Sequence, residues 1–308
     1  MKTIIASLFV ILFFSCAKPQ NLTNQYMYDC IRQDTTLLDL FYGMDDVDQP
    51  STCALDSLPG LLKLDCRSNW KTADEIEDVI ESLGYEASLC VYCDSLFPTE
   101  QVLRTVAVKL DRLFQNDFVT YLKHNEQFNC SDQLDNLLNF GNVNNGNELI
   151  DYFNAWFEHI DEEKKLNCDS VDHIPDLRVC LVACRIYEDS QLITYLFESS
   201  VDYHGSNGCP SSADYLTIEK KSGRVLTFDD FFSKDHENEI DMLLRQSYIL
   251  EQKKRGYDDY IAIDVLLDHS YKNNCAKVKE GMLFYYHPYE IGCGADGQYN
   301  LIINPKTK

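Results

Sequence analysis

The sequence predicts an α+β fold in which an antiparallel sheet packs against helices, arranged as two related or adjoining subdomains. Hydrophobic residues follow a helical period between residues 72 and 162, and they alternate in the manner of strands from residue 177 onwards. The helices and strands show no strand–helix–strand rhythm, which would be typical of a parallel sheet. A hydrophobic content of 45% and an aromatic content of 12% are sufficient for a substantial core.

Residues 1–15 have the features of an export signal. Lys2 precedes an apolar run over residues 4–14, which has the length of a signal-peptide core (about 7–15 residues). A membrane-spanning helix would need about 20 apolar residues. Ser15 and Cys16 close the run, and this ending is similar to the lipobox of Bacteroidetes-type lipoproteins. We expect cleavage before Cys16, lipidation of Cys16, and a tether and irregular region over residues 16–65.

Residues 66–170 are predicted to form a helix-rich N-terminal module. A capping box of Thr72 and Glu75 starts its first helix, and Gly84 ends that helix. A strand is predicted over residues 87–92. Apolar stripes then predict helices over residues 100–122 and 147–162, separated by a turn rich in glycine and asparagine at residues 141–146.

Residues 171–308 are predicted to form an α+β C-terminal domain. Alternating residues predict strands over residues 178–188, 191–203 and 213–221, followed by a turn at Gly223. An apolar stripe predicts a helix over residues 238–253. Two closing strands are expected over residues 282–287 and 299–304.

Charge and cysteine content limit the class of partner. The chain has 50 acidic and 27 basic residues, a net charge of −23. Nucleic acid is therefore not expected as a partner, because its binding depends on cations that neutralise phosphates. The charge either attracts cationic partners or maintains solubility. Twelve cysteines remain after Cys16, and this even number predicts disulfides of open connectivity in an oxidising compartment.

No catalytic residue, metal site or cofactor is predicted, and a non-enzymatic role is favoured. Residues 227–230 (TFDD) are similar to a metal-binding string of NodB-type deacetylases. The Gly-Pro that should follow and a spaced histidine pair are absent from the sequence, so Asp229 or Asp230 is expected to cap a helix. Four cysteines lie in apolar strand-like runs, where disulfides or buried thiols are favoured over zinc: Cys90, Cys93, Cys180 and Cys184.

Three segments of the C-terminal half carry a family resemblance. They are residues 203–205 (YHG), residues 222–232 (SGRVLTFDDFF) and residues 281–292 (GMLFYYHPYEIG). In order and spacing these segments resemble the RsiV/PdaC-type extracytoplasmic domain. The resemblance implies a role at the cell wall, since members include a lysozyme-recognising anti-sigma factor ectodomain and a domain accompanying a peptidoglycan deacetylase.

Aromatic and histidine side chains at two strand ends form the predicted ligand-binding site, because such side chains suit sugar stacking or protein contact. They are Tyr203, His204, Tyr286, His287 and Tyr289. The predicted function is that of a non-catalytic envelope lipoprotein that binds a cell-wall-related ligand, either a glycan fragment or a cationic protein such as lysozyme. The alternatives are an enzyme that modifies wall polysaccharide and a structural lipoprotein. The expected location is the outer membrane, facing the periplasm, with the cell surface as the alternative.

Overall fold

A computed structural model describes residues 60–69, 86–119, 143–167, 177–203, 212–256, 270–287, 290–291 and 298–304. These residues form four layers, which are a pair of helices, a five-stranded sheet, a three-stranded sheet and a final helical layer. The α+β prediction is confirmed. The export signal, Cys16, His204, Tyr289 and the helix predicted over residues 72–84 lie outside the described residues.

The larger sheet has the strand order β1-β2-β3-β4-β5. Its strands are β1 Leu61–Asn69, β2 Glu86–Asp94, β3 Leu177–Glu188, β4 Leu192–Tyr203 and β5 Ser212–Glu219. All neighbours are antiparallel except β2 and β3, which are parallel, so the sheet is mixed. The sheet thus contains strands from both predicted modules. The parallel pair was not predicted, because both long helices lie in the connection between its strands.

Strand β1 was also not predicted, since residues 16–65 were expected to form a tether and irregular region. Leu62 and Leu64 are half-buried and Cys66 is buried, whereas Lys63 and Asp65 between them are exposed. This is the alternation of a strand with one covered face. The signal was present in the sequence but spans only five residues, beside a region rich in turns.

Two helices cover one face of the larger sheet. Helix α1, Glu100–Phe114, continues into a π-helical turn at Gln115–Val119, and helix α2 is Gly146–Asn167. Thr99 caps α1, because its Oγ1 accepts a hydrogen bond from Val102 N at 3.2 Å. The helices bury one stripe of side chains each: Val102, Leu103, Val106, Leu110 and Phe114 from α1, and Leu149, Phe153, Trp156 and Phe157 from α2.

The smaller sheet packs on the opposite face of the larger one. Its strands are antiparallel, in the order β6 Cys275–Val278, β7 Gly281–Tyr286 and β8 Tyr299–Ile303. The ring of Tyr285 contacts Tyr215 of β5 edge-on, with centroids 4.9 Å apart. The far face is covered by the one-turn helix α3, Phe228–Phe231, and by α4, Glu237–Lys254. Strand β6 was not predicted.

Two further sequence predictions concern the cysteines and the TFDD string. The six described cysteines are free thiols: Cys66, Cys90, Cys93, Cys180, Cys184 and Cys275. Asp230 lies in α3, and its Oδ2 accepts a hydrogen bond from Thr227 N at 2.8 Å, which is a capping interaction. Within the part of the chain that the structure describes, no helix combines the length and the apolar character needed to cross a membrane.

Candidate functional site

A groove of about 530 Å³ lies between α1 and the outer strand β5 of the larger sheet, and we call it the α1–β5 groove. It is lined by Arg104, Thr105, Val108, Lys109, Arg112, Leu216, Gly223 and Val225. Three of these residues are cations and none carries a carboxylate. In a chain with 50 acidic and 27 basic residues, such a lining is rich in cations, and two of the three pair with carboxylates outside the lining, as described below.

The cations of α1 lie outside its buried stripe. Arg112 lies three residues after Lys109 and is its neighbour on the helix surface, whereas Arg104 lies more than one turn before Lys109. Arg104 pairs with Glu100 one turn earlier, on the outer surface of the helix. Arg112 is exposed at the end of the helix, where a cation interacts favourably with the helix dipole.

The turn after β5 forms one wall of the groove and is fixed to α1 by two hydrogen bonds. Thr99 Oγ1 donates to Lys220 O at 2.8 Å, and Thr105 Oγ1 donates to Gly223 O at 2.7 Å. Gly223 has a φ of 71°, and a Cβ atom there would lie 2.7 Å from both Cβ and O of Gln101. The turn therefore needs glycine for two reasons, which are its left-handed backbone and its close approach to α1.

We expect Gly223→Ala to lower the free energy of unfolding by about 2 kcal/mol, since it combines left-handed strain with a backbone clash. Gly256→Ala is the matched control, because Gly256 has a φ of 80° and open space around its Cβ position. That control should cost about 1 kcal/mol. Urea unfolding of both variants measures the difference, and equal losses would show that the contact with Gln101 has no energetic weight.

A half-buried network of polar contacts lies beside the groove. Lys109 of the groove pairs with Asp214 of β5, and the other carboxylate oxygen of Asp214 lies 3.2 Å from His287 Nε2. Burial alone would raise the pKa of Asp214, but hydrogen bonds from His287 and Lys109 lower it to about 2. The hydrogen bond to Asp214 in turn raises the pKa of His287 above its ordinary value. Asp214 thereby joins Lys109 and His287 in one network.

The structure separates the predicted ligand-binding residues. His287 follows β7 on the side of Tyr285, whose ring it contacts edge-on at 5.6 Å, and it joins the network beside the groove. Tyr286 belongs to the opposite face of the smaller sheet and is only 1% exposed. Tyr203 ends β4, and its side chain lies outside the described residues, like His204 and Tyr289. The structure therefore brings His287 to a candidate site and leaves Tyr286 in the core.

The chemistry of the groove suits an anion with an apolar portion. Arginine and lysine side chains bind carboxylates through charge-assisted hydrogen bonds, with arginine able to bind both oxygens. Val108, Leu216 and Val225 supply apolar surface, and Val108 is 44% exposed. No set of three or more histidine, cysteine, aspartate and glutamate side chains suited to a metal ion occurs among the described residues.

No family model matches this sequence, and no curated protein matches it. Its structural neighbours are DUF3298 family proteins. A DUF3298 family protein from Pseudomonas aeruginosa PAO1 is 9% identical, with a TM-score of 0.46, and the match covers 79% of this chain and 89% of that one. A DUF3298 family member from Bacteroides fragilis NCTC 9343 is 14% identical, with a TM-score of 0.41 and coverages of 79% and 90%.

Proposed function

We propose that this protein is a non-catalytic envelope lipoprotein that binds a carboxylate-bearing cell-wall glycan fragment in the α1–β5 groove. The observation that carries the proposal is the lining of the groove, which holds three cations and no carboxylate in an otherwise acidic chain. Wall glycan fragments combine carboxylates with apolar sugar faces and methyl groups. Cations and exposed aliphatic side chains are the complement of such a ligand.

The setting of this function is proposed from the sequence. Lipidation of Cys16 would tether the body of the protein to the outer membrane, facing the periplasm, where wall fragments are available. At least two acyl chains make such an anchor stable, since one chain gives only marginal attachment. The resemblance of residues 203–205, 222–232 and 281–292 to the RsiV/PdaC-type domain supports a wall-related ligand.

Titration calorimetry of the full lipidated chain in detergent with purified muropeptides tests the proposal. We expect binding of carboxylate-bearing fragments. The double change Arg104→Gln and Arg112→Gln should weaken this binding about tenfold, a loss of about 1.4 kcal/mol, because it removes two cations that would bind the carboxylates. The variant removes two exposed charges and leaves the ion pair of Lys109 with Asp214 intact.

Lys253→Gln is the matched control, because Lys253 is an exposed cation on α4, beside the smaller sheet. It should leave the affinity unchanged, and a neutral chitin oligosaccharide should bind more weakly than a muropeptide of equal length. An absence of binding by any fragment contradicts the proposal, as does equal affinity in the double variant.

A cationic protein such as lysozyme is the second candidate ligand, and the net charge of −23 favours it. Its association would be steered by the whole acidic surface and would weaken steeply with salt. Neutralising Arg104 and Arg112 would then strengthen binding, because it removes repulsive charges. The same double variant therefore gives opposite results for the two ligands.

A further inference from the structure

Two thiols face each other across the parallel strands of the larger sheet. Cys90 of β2 and Cys180 of β3 are direct partners in the register of this pair. Both side chains belong to the face that packs on the smaller sheet. Neighbouring strands are about 4.8 Å apart, and disulfides join residues whose Cα atoms are about 4.4–6.8 Å apart. The strand spacing alone therefore satisfies the main geometric requirement of a disulfide.

The other two thiols on these strands lack this relationship. Cys93 pairs in register with Ala183, and its side chain points to the opposite face, among the residues that contact α1 and α2. Cys184 shares a face with Cys180 but lies four residues further along β3, roughly 13 Å away at a rise of about 3.3 Å per residue. Of the four possible pairs between β2 and β3, one alone is in register.

The two thiols of this pair have different surroundings. Cys180 is 4% exposed, whereas Cys90 is half-buried and reachable from solvent. A hydrogen bond from Cys180 lowers the pKa of Cys90, and the charge of Lys63 contributes in the same direction. The hydrogen bond to Cys90 and burial raise the pKa of Cys180. Because the thiolate is the nucleophile in exchange reactions, Cys90 is the attacking group and Cys180 the resolving one.

We propose that Cys90 and Cys180 form a dithiol oxidation site, which closes to a disulfide by exchange with a disulfide-bearing thiol oxidant. The Cys90 thiolate attacks one sulfur of the oxidant, forms a mixed disulfide and releases the first thiolate of the oxidant. Cys180 then loses its proton and attacks Cys90 Sγ, which expels the second thiolate. Two thiols of the protein are oxidised, and the oxidant is reduced to two thiols that take up the two protons released.

The site is separate from the α1–β5 groove, because α1 and the groove residue Leu216 lie on the other face of the larger sheet. The new bond would join β2 to β3 and close a loop containing both α1 and α2. A cross-link over so long a loop restricts the unfolded chain strongly, so oxidation should raise the thermal midpoint by roughly 5–10 °C.

Peptide mapping of the full folded chain tests this pair. The protein is reduced, incubated with oxidised glutathione, alkylated and digested with trypsin, and linked peptides are sequenced by fragmentation. We expect a link between Cys90 and Cys180, whose sulfurs should be protected from alkylation after oxidation and modified before it. The double variant Cys93→Ala and Cys184→Ala should keep the link and the rise in midpoint, whereas Cys90→Ala should lose both.

Two outcomes overturn the proposal. One is alkylation of both Cys90 and Cys180 after oxidation of the folded protein, and the other is a link that runs through Cys93 or Cys184 instead. If the double variant does not fold, fragment ions of the wild-type peptides still assign the linked sulfurs. Binding of wall fragments is measured independently, so failure of this pair and failure of the proposed ligand are distinguishable.

Discussion

Phe114→Ala should lower the free energy of unfolding by about 3–5 kcal/mol, the range for a large aromatic side chain removed from a close-packed core. Phe114 ends α1 and is fully buried. Its ring contacts Phe153 and Trp156 of α2 edge-on, with centroids 5.4 and 6.0 Å apart. Alanine would leave a cavity at the point where the two helices meet above the sheet.

Urea unfolding followed by circular dichroism measures this loss. Phe114→Leu should recover most of the stability, because it refills much of the volume without the edge-to-face contacts. Leu96→Ala is the surface control, since Leu96 is 77% exposed, and it should change the free energy by less than about 0.5 kcal/mol. A loss below about 1 kcal/mol for Phe114→Ala would show that α1 and α2 are not held together by this cluster.

Asp94→Asn should remove a pH dependence of stability of about 3 kcal/mol. Asp94 is 7% exposed, its Oδ2 accepts a hydrogen bond from Tyr195 at 3.0 Å, and Arg185 Nε lies 3.6 Å away. Burial raises the pKa of Asp94 from 3.8 to about 6, against the opposing effects of Arg185 and Tyr195. The cost of burying the charged form therefore exceeds the gain from its partners.

The sign of this effect follows from proton binding. Between about pH 4 and pH 6 the folded protein holds a proton on Asp94 that the unfolded chain has released. The contribution of this group to stability is therefore present below about pH 4 and is lost as the pH rises towards 6. Asparagine keeps an acceptor for Tyr195 and does not titrate, so the variant should lack this decline.

The prediction is tested by measuring the free energy of unfolding of the wild-type protein and of Asp94→Asn from pH 4 to pH 7.5. The quantity compared is the difference between the two free energies at each pH. Asp65→Asn is the control, because it removes an exposed carboxylate from the adjacent strand. Parallel profiles for the wild-type protein and Asp94→Asn would mean that Asp94 stays ionised in the folded state throughout this range.

Local sequence signals predicted most of the fold. The helix expected over residues 147–162 and the strands expected over residues 178–188 and 191–203 differ from the observed bounds by a few residues. Each has a long, clear apolar period. The missed strands β1 and β6 have short patterns, and β6 is only four residues long. The parallel pairing of β2 with β3 depends on a tertiary contact, which no local pattern encodes.

The candidate site was only partly accessible to sequence analysis. His287 was predicted from its place in an aromatic strand end, but its partner Asp214 lies more than 70 residues away and is brought to it by sheet packing. The sequence did show that three cations lie on the solvent side of the predicted helix α1, namely Arg104, Lys109 and Arg112. Taken alone, that face is indistinguishable from an ordinary solvated surface, and the turn at Gly223 is what converts it into a groove.

The parallel contact between β2 and β3 has a consequence for how the chain reaches its native state. β1 can pair with β2, and β3 with β4 and β5, but the two halves of the sheet meet across a connection that contains both long helices. Closure of so long a connection is entropically costly, and non-local contacts of this kind slow folding. Until closure, one edge of β2 and one edge of β3 stay open to wrong partners. We therefore expect joining of the two halves to limit the refolding rate and to set how long newly synthesised molecules are vulnerable to aggregation.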